Sequence, residues 1–261
     1  MFVSSEEKEL GEEFIYNGFI KKNVLETSTL DQIKSELLEI VKSYKEIKIN
    51  SDITLENIHK IIPIKNLNHF RLHCINEMSK KDELRVAYYK VFKKYTDFII
   101  GNELVMQKKL NLSIQMPKDT SSLLNIHADT WSGDSPFETV CWLPMVDCVG
   151  TMSMFILPAH NYDYFLEKYD VLKNKNSDEL FESLRDKLIW VEIKYGEALI
   201  FNQNLPHGNV TNEELNTRWS FNCRFKSIFT PYRDKKIGEF FEPITLKPTS
   251  KIGLNYKYPS Q

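Results

Sequence analysis

The chain has 261 residues, with 34 Lys and Arg against 36 Asp and Glu, a formal charge of −2, and 42% hydrophobic residues. A chain of that size and composition buries roughly three quarters of its unfolded surface and needs no disulfide or metal staple to fold. The balanced charge argues against a nucleic-acid binder held by phosphate contacts, and no stretch approaches the ~20 apolar residues of a membrane span.

Up to about residue 103 the hydrophobic spacing is helical. Thr29 is a plausible N-cap for a helix carrying Leu30, Ile33, Leu37, Leu38, Ile40 and Val41 at three-to-four spacing. A second helical stretch is expected to start near residues 54–55, a third over 67–78 and a fourth over 82–99. The fourth has Leu84, Ala87, Tyr88, Val91, Phe92 and Tyr95 on one stripe.

From Leu104 the pattern changes to short alternating runs. Over 110–116, Leu110, Leu112, Ile114 and Met116 share one face, and Asn111, Ser113 and Gln115 share the other. Further strands are expected at 123–128, 138–145, 152–157, 188–193, 197–201 and 217–227, punctuated by proline and glycine. Residues 161–187 interrupt the series with helical character at 162–169 and 177–185. Residues 231–261 read as an irregular tail. The organisation expected is one domain over 1–261: a helical part (1–103), a mainly β core (104–230) and the tail, an α+β protein whose strands close into a sandwich or barrel.

The acidic start lacks an apolar signal core, so a cytoplasmic location is expected. Cys74, Cys141, Cys148 and Cys223 form no CxxC pair and are expected to be reduced thiols.

Of six histidines, His59, His69 and His73 lie in the helical part, and His160 follows Pro158-Ala159 at a strand end, which suits a turn. His127 and His207 differ. His127-Ala128-Asp129 places an imidazole and a carboxylate two apart at the end of an apolar run, where both can point the same way. His207 follows another strand eighty residues later. Two histidines and one carboxylate form the facial set that holds Fe(II) with open positions. A zinc hydrolase could use the same three groups, although no HExxH helix is present.

Arg218 lies eleven residues after His207 on the alternating run 218–225. Arg218, Ser220, Asn222 and Arg224 share one face of that run; Trp219, Phe221, Cys223 and Phe225 share the other. Buried arginines need an anionic partner, and the planar guanidinium suits a carboxylate.

The order HxD, about eighty residues, His, then Arg at plus eleven resembles the Fe(II)/2-oxoglutarate oxygenases. More narrowly it resembles the phytanoyl-CoA dioxygenase-like group. Residues 14–20 (FIYNGFI), 140–147 (VCWLPMVD) and 151–160 (TMSMFILPAH) fit that group, with Pro158-Ala159 where relatives carry Gly-Ser before the turn histidine. Residues 127–138 (HADTWSGDSPFE) are similar to oxygenases found among bacterial surface-carbohydrate gene clusters.

The resemblance implies a double-stranded β-helix, a cupin-like jelly roll with the helical N-terminal part packed on one sheet. It implies Fe(II) on His127, Asp129 and His207, 2-oxoglutarate as co-substrate with O2, and Arg218 on the distal carboxylate of the keto acid, with Arg224 as the alternative holder. Ser220, Gln115 and Asn125 are expected near the keto acid. Trp131, Asp134, Glu138, Asn222 and Arg224 are expected to face a substrate, a sugar or nucleotide sugar of surface-glycan synthesis. Acyl-CoA or amino-acid-like substrates, desaturation or epimerisation instead of hydroxylation, and a non-catalytic jelly-roll binding protein stand as alternatives.

Overall fold

The computed structural model describes residues 2–46 and 53–259. Helix α1 (Ser5–Asn17) starts where the Ser4 hydroxyl accepts from the Glu7 N–H at 3.1 Å. It ends at Gly18, whose φ of 76° suits glycine; a Cβ there would also overlap the Leu205 side chain. Only Leu10 of α1 is buried, so its sequence carries no apolar stripe. Strand β1 (Phe19–Asn23) follows, then α2 (Thr27–Lys42). α2 begins two residues before the expected Thr29 cap and buries Leu30, Ile33, Leu37, Ile40 and Val41. The helix expected near residues 54–55 is a turn leading into one 3-10 turn, Ile58–Lys60. Helices α3 (Leu67–Met78) and α4 (Asp82–Ile99) match the periodicity.

The β part comprises β2 (Leu104–Gln107), β3 (Asn111–Gln115), β4 (Thr139–Pro144), β5 (Met154–Ile156), β6 (Ile189–Val191), β7 (Glu197–Asn202), β8 (His207–Gly208) and β9 (Arg218–Ser227). Helices α5 (Tyr162–Glu167), α6 (Tyr169–Leu172) and α7 (Ser177–Leu184) lie between β5 and β6, as the insertion predicts. Within the expected tail, β10 (Phe241–Pro243) pairs with β2 and α8 (Pro248–Leu254) follows; the last two residues of that tail lie outside those described. Residues 123–128 form no strand. A single bridge joins His127 to His207, and the Asn209 side chain caps the Leu124 N–H at 2.7 Å.

The strands form two antiparallel sheets. One runs β1-β7-β4-β9-β2-β10, with β3 also paired to β9; the other runs β6-β5-β8. Strand β9 is the spine of the larger sheet. Its residues Trp219, Phe221, Cys223 and Phe225 are completely buried on the helical side. Phe70 of α3 meets Trp219 edge-on at 6.0 Å between ring centroids, and Tyr88 of α4 meets Phe221 edge-on at 6.4 Å. The Trp219 Nε1–H donates to the Leu55 carbonyl at 2.7 Å. Trp219→Ala should cost about 3–5 kcal/mol of unfolding free energy, the range for emptying a buried aromatic site. Urea unfolding measures it, and a loss under ~1 kcal/mol would mean the helices add little to the sheet. All four cysteines are buried and free of disulfides. Among the described residues no helix is long and apolar enough to cross a membrane.

Candidate metal centre and its cavity

Three elements deliver the donor set. His127 ends the loop bridged to β8, Asp129 opens the 3-10 turn Asp129–Ser132, and His207 begins β8. The His127 N–H donates to the His207 carbonyl at 2.9 Å and the His207 N–H donates back at 2.8 Å, so main-chain bonds set the two imidazoles side by side. Their rings lie 4.5 Å apart. The His127 Nδ1 is 2.7 Å from the Asn125 carbonyl, and the His207 Nδ1 is 2.8 Å from the Leu205 carbonyl. A carbonyl only accepts, so each Nδ1 carries a proton, which leaves Nε2 as the atom that can give a lone pair to a metal. The His127 Nε2 lies 3.5 Å from Asp129 Oδ1, and one donor atom from each of the three residues falls within 4.8 Å of the others. Among the described residues no other set of His, Cys, Asp and Glu meets that spacing.

The electrostatics suit a cation. Burial pushes the His207 pKa down to about 4, with the neighbouring His127 adding to the effect, so His207 is neutral at neutral pH. Burial opposes the charge on Asp129, but the neighbouring His127 and the Arg224 guanidinium outweigh it, and its pKa falls well below the usual carboxylate range. Burial lowers the His127 pKa; Asp129 and the Asn125 carbonyl outweigh that and raise it.

A cavity of about 410 Å³ opens beside this set. Asn111 and Ser113 of β3 and Arg218, Asn222 and Arg224 of β9 line it; Gln115 and Ser220, in register opposite Arg218 and Ser113, do not. Arg218 lines the cavity and is 4% exposed, with no carboxylate at ion-pair distance among the described residues. Its Nη1 makes a long bond of 3.4 Å to Gln115 Oε1, its guanidinium lies 5.5 Å over the Trp142 ring, and its Nε has no partner. Burial lowers its pKa. The Ser220 hydroxyl nearby is also buried and unpartnered. An uncompensated buried cation beside an orphan hydroxyl fits an anionic ligand with acceptor oxygens.

Other expected residues have different placements. The Gln115 side chain is fully buried, donates to the Val210 carbonyl at 2.7 Å and steadies Arg218. Asn125 is exposed, and its carbonyl rather than its side chain serves the site. Arg224, expected to face a substrate, lines the cavity; it also pairs with Asp129 Oδ2 at 2.8 Å and donates from Nε to Gln203 Oε1 at 2.9 Å. Asp134 is 1% exposed and pairs with Lys235 at 2.5 Å; Glu138, 2% exposed, accepts from the Ser135 N–H and from Gln203 Nε2, both at 3.1 Å. Neither carboxylate lines the cavity.

Trp131, 47% exposed, lies outside the cavity. It stacks on Phe165 at 5.9 Å and 22° and borders a separate groove with Tyr169 and Lys173. Asn222 does line the cavity and accepts from Asn111 Nδ2 at 2.7 Å. His59, His69, His73 and His160 lie elsewhere, and His160 stacks on Tyr16 at 4.6 Å.

Arg71, Ser122 and Asn209 also line the cavity and were not anticipated. Arg71 reaches in from α3, with Nη2 donating to the Ile114 carbonyl at 3.1 Å and to the Ser122 hydroxyl at 2.5 Å. Its one trace in the sequence is its place beside the buried stripe Leu67, Phe70, Cys74 and Met78.

No family model matches the chain, and no curated protein matches it. Solved structures do match: the chain has the fold of the non-heme alpha-ketoglutarate dependent enzymes. It is similar to the carbocyclase SnoK of nogalamycin biosynthesis, with a TM-score of 0.56 and 12% identity over 94% of this chain and 97% of that one. It is similar to the epimerase SnoN of the same biosynthesis, with a TM-score of 0.55 and 13% identity over 90% and 86%. HygX from Streptomyces hygroscopicus, solved with nickel and 2-oxoglutarate bound, aligns with a TM-score of 0.53 and 13% identity over 88% and 89%.

Proposed function

We propose that this chain is a non-haem Fe(II)/2-oxoglutarate-dependent dioxygenase whose two sheets form a jelly roll, and that it hydroxylates a small polar molecule. One observation carries the reading: two imidazoles, each held by Nδ1 on a carbonyl, and an ionised carboxylate share a cavity with a buried arginine that has no anionic partner among the described residues. When bound together, Fe(II) and 2-oxoglutarate supply an O2-derived oxidant able to take hydrogen from an unactivated carbon. In this reading His127, Asp129 and His207 hold the iron. Arg218 receives the distal carboxylate of the keto acid, Ser220 offers it a hydroxyl, and Gln115 keeps the guanidinium aimed. Trp142 and the buried face of β4 exclude water behind it.

The substrate side of the cavity carries Asn111, Asn222, Ser122, Asn209 and the cation Arg71. Those groups support a hydroxyl-rich substrate bearing a negative charge, and a sugar phosphate or nucleotide sugar meets both conditions. Trp131 has no part in this recognition. Two of the similar structures are an epimerase and a carbocyclase, so the substrate panel must read product mass as well as succinate.

Under nitrogen, Fe(II) and 2-oxoglutarate should give the purified protein a weak visible charge-transfer band, absent from Asp129→Ala. In air, sugar phosphates and nucleotide sugars should release succinate with a gain of one oxygen. A band that persists in Asp129→Ala would overturn the ligand set. Turnover confined to acyl-CoA esters or amino acids would overturn the substrate class alone.

A further inference from the structure

We propose that Arg224 is a positioning residue of the metal centre: it occupies one oxygen of Asp129 and so presents the carboxylate to the metal through the other oxygen alone. The proposal rests on the iron reading above and concerns how Asp129 is held.

Asp129 has two equivalent oxygens, and an unrestrained carboxylate can grip a cation with one or both. Here the two oxygens are made different. Oδ2 takes a charge-assisted bond from Arg224 Nη2 at 2.8 Å, while Oδ1 faces the His127 Nε2 at 3.5 Å. Both side chains are nearly buried, with 14% and 10% of their surface exposed, so water competes little for Oδ2.

The guanidinium is itself fixed on a second edge. Its Nε donates to Gln203 Oε1 at 2.9 Å, and Gln203 Nε2 donates onward to Glu138 Oε2 at 3.1 Å and to the Ser135 carbonyl at 3.2 Å. Asp134 lies 3.9 Å from Arg224 and is held by Lys235. This chain of contacts explains why Asp134, Glu138 and Gln203 are buried and polar although none lines the cavity.

The chemical consequence concerns the number of positions left for co-substrates. On a six-coordinate iron, His127, His207 and Asp129 through one oxygen would fill three positions. A keto acid bound through two atoms would take two more and leave the last for O2. A carboxylate gripping with both oxygens would fill that last position.

The test uses nitric oxide as a probe of the last position, read by electron paramagnetic resonance of the anaerobic protein loaded with Fe(II) and 2-oxoglutarate. Wild type should form the nitrosyl signal, and Arg224→Met should lose it at least about tenfold while still binding one equivalent of Ni(II) by calorimetry. Arg224→Lys, which can still reach Oδ2, should restore part of the signal. An Arg224→Met protein that gives the wild-type signal would overturn the proposal. Should Arg224→Met fail to fold by circular dichroism, Gln203→Leu decides: it frees the second edge of the guanidinium, and its signal should weaken several-fold or the proposal falls. A wild-type protein that binds neither Fe(II) nor Ni(II) would instead sink the iron reading itself.

Discussion

Arg218→Met will weaken 2-oxoglutarate binding by more than about a hundredfold and, in the absence of ligand, will make the protein more stable. The two effects have opposite signs because Arg218 is buried without a counter-charge among the described residues. Its folded environment penalises the charge, which is why burial lowers its pKa. Methionine fills a similar volume and carries no charge to desolvate, and replacing buried ion groups with apolar side chains commonly stabilises by about 1–4 kcal/mol. In the proposed function the keto acid supplies the partner this arginine lacks, and losing one member of such a pair costs about 3–5 kcal/mol, or more than about a hundredfold in affinity. Calorimetric titration of 2-oxoglutarate into Ni(II)-loaded protein and a thermal melt of the apo protein read the two signs. A lower apo melting temperature would make Arg218 a structural residue and remove it from the site.

His207→Ala will lose metal binding and keep the fold. The main chain, not the imidazole, ties this segment down, through the reciprocal His127–His207 bonds and the Leu157 N–H to the Pro206 carbonyl at 2.8 Å. The imidazole itself packs against the His127 ring and the edge of Phe201. Losing a direct ligand should cost more than the roughly 10–100-fold typical of losing a ligand's supporting partner. The same variant should change how apo stability depends on pH. The folded pKa of His207, about 4, lies below its unfolded value of 6.5. Between those values the unfolded chain takes up the proton first, so wild-type stability falls as pH drops from 6.5 towards 4. The loss attributable to this group is of the order of 3 kcal/mol. His207→Ala should lack that component, and parallel urea titrations at pH 7 and pH 4.5 measure the difference. Equal slopes against pH in the two proteins would show that His207 is not held neutral by burial.

Much of this was legible because alternation and spacing are local. The period-2 runs of β3 and β9 sort polar from apolar residues correctly, and the partner faces meet in the structure, Asn111 with Asn222 and Gln115 with Arg218. The stripes of α3 and α4 gave those helices their limits. Where burial is sparse the signal vanishes: α1 buries only Leu10, and β10 is three residues long. The apolar run before His127 reads as a strand, but the one bridge within 123–128 is at His127 itself, and the Leu124 N–H donates to the Asn209 side chain.

Side-chain direction outside regular elements was the least legible. Trp131 and Asp134 lie close in sequence to the HxD, yet the 3-10 turn that starts at Asp129 carries Trp131 outward and Asp134 towards Lys235. The role of Arg224 depends on a contact ninety-five residues back along the chain, which no local pattern records.

Strand β9 has a further consequence for how such a scaffold diversifies. Its odd-numbered residues from Trp219 to Phe225 pack against the helices, while Arg218, Asn222 and Arg224 on the alternate positions line the cavity. One segment thus carries two separable inventories, one governing whether the protein folds and one governing what it handles. Mutational drift can rewrite the second while the first stays intact, provided no residue is inserted, since a one-residue slip would exchange the two. A shared architecture at 12–13% identity, seen here in an epimerase and a carbocyclase, is what that arrangement permits.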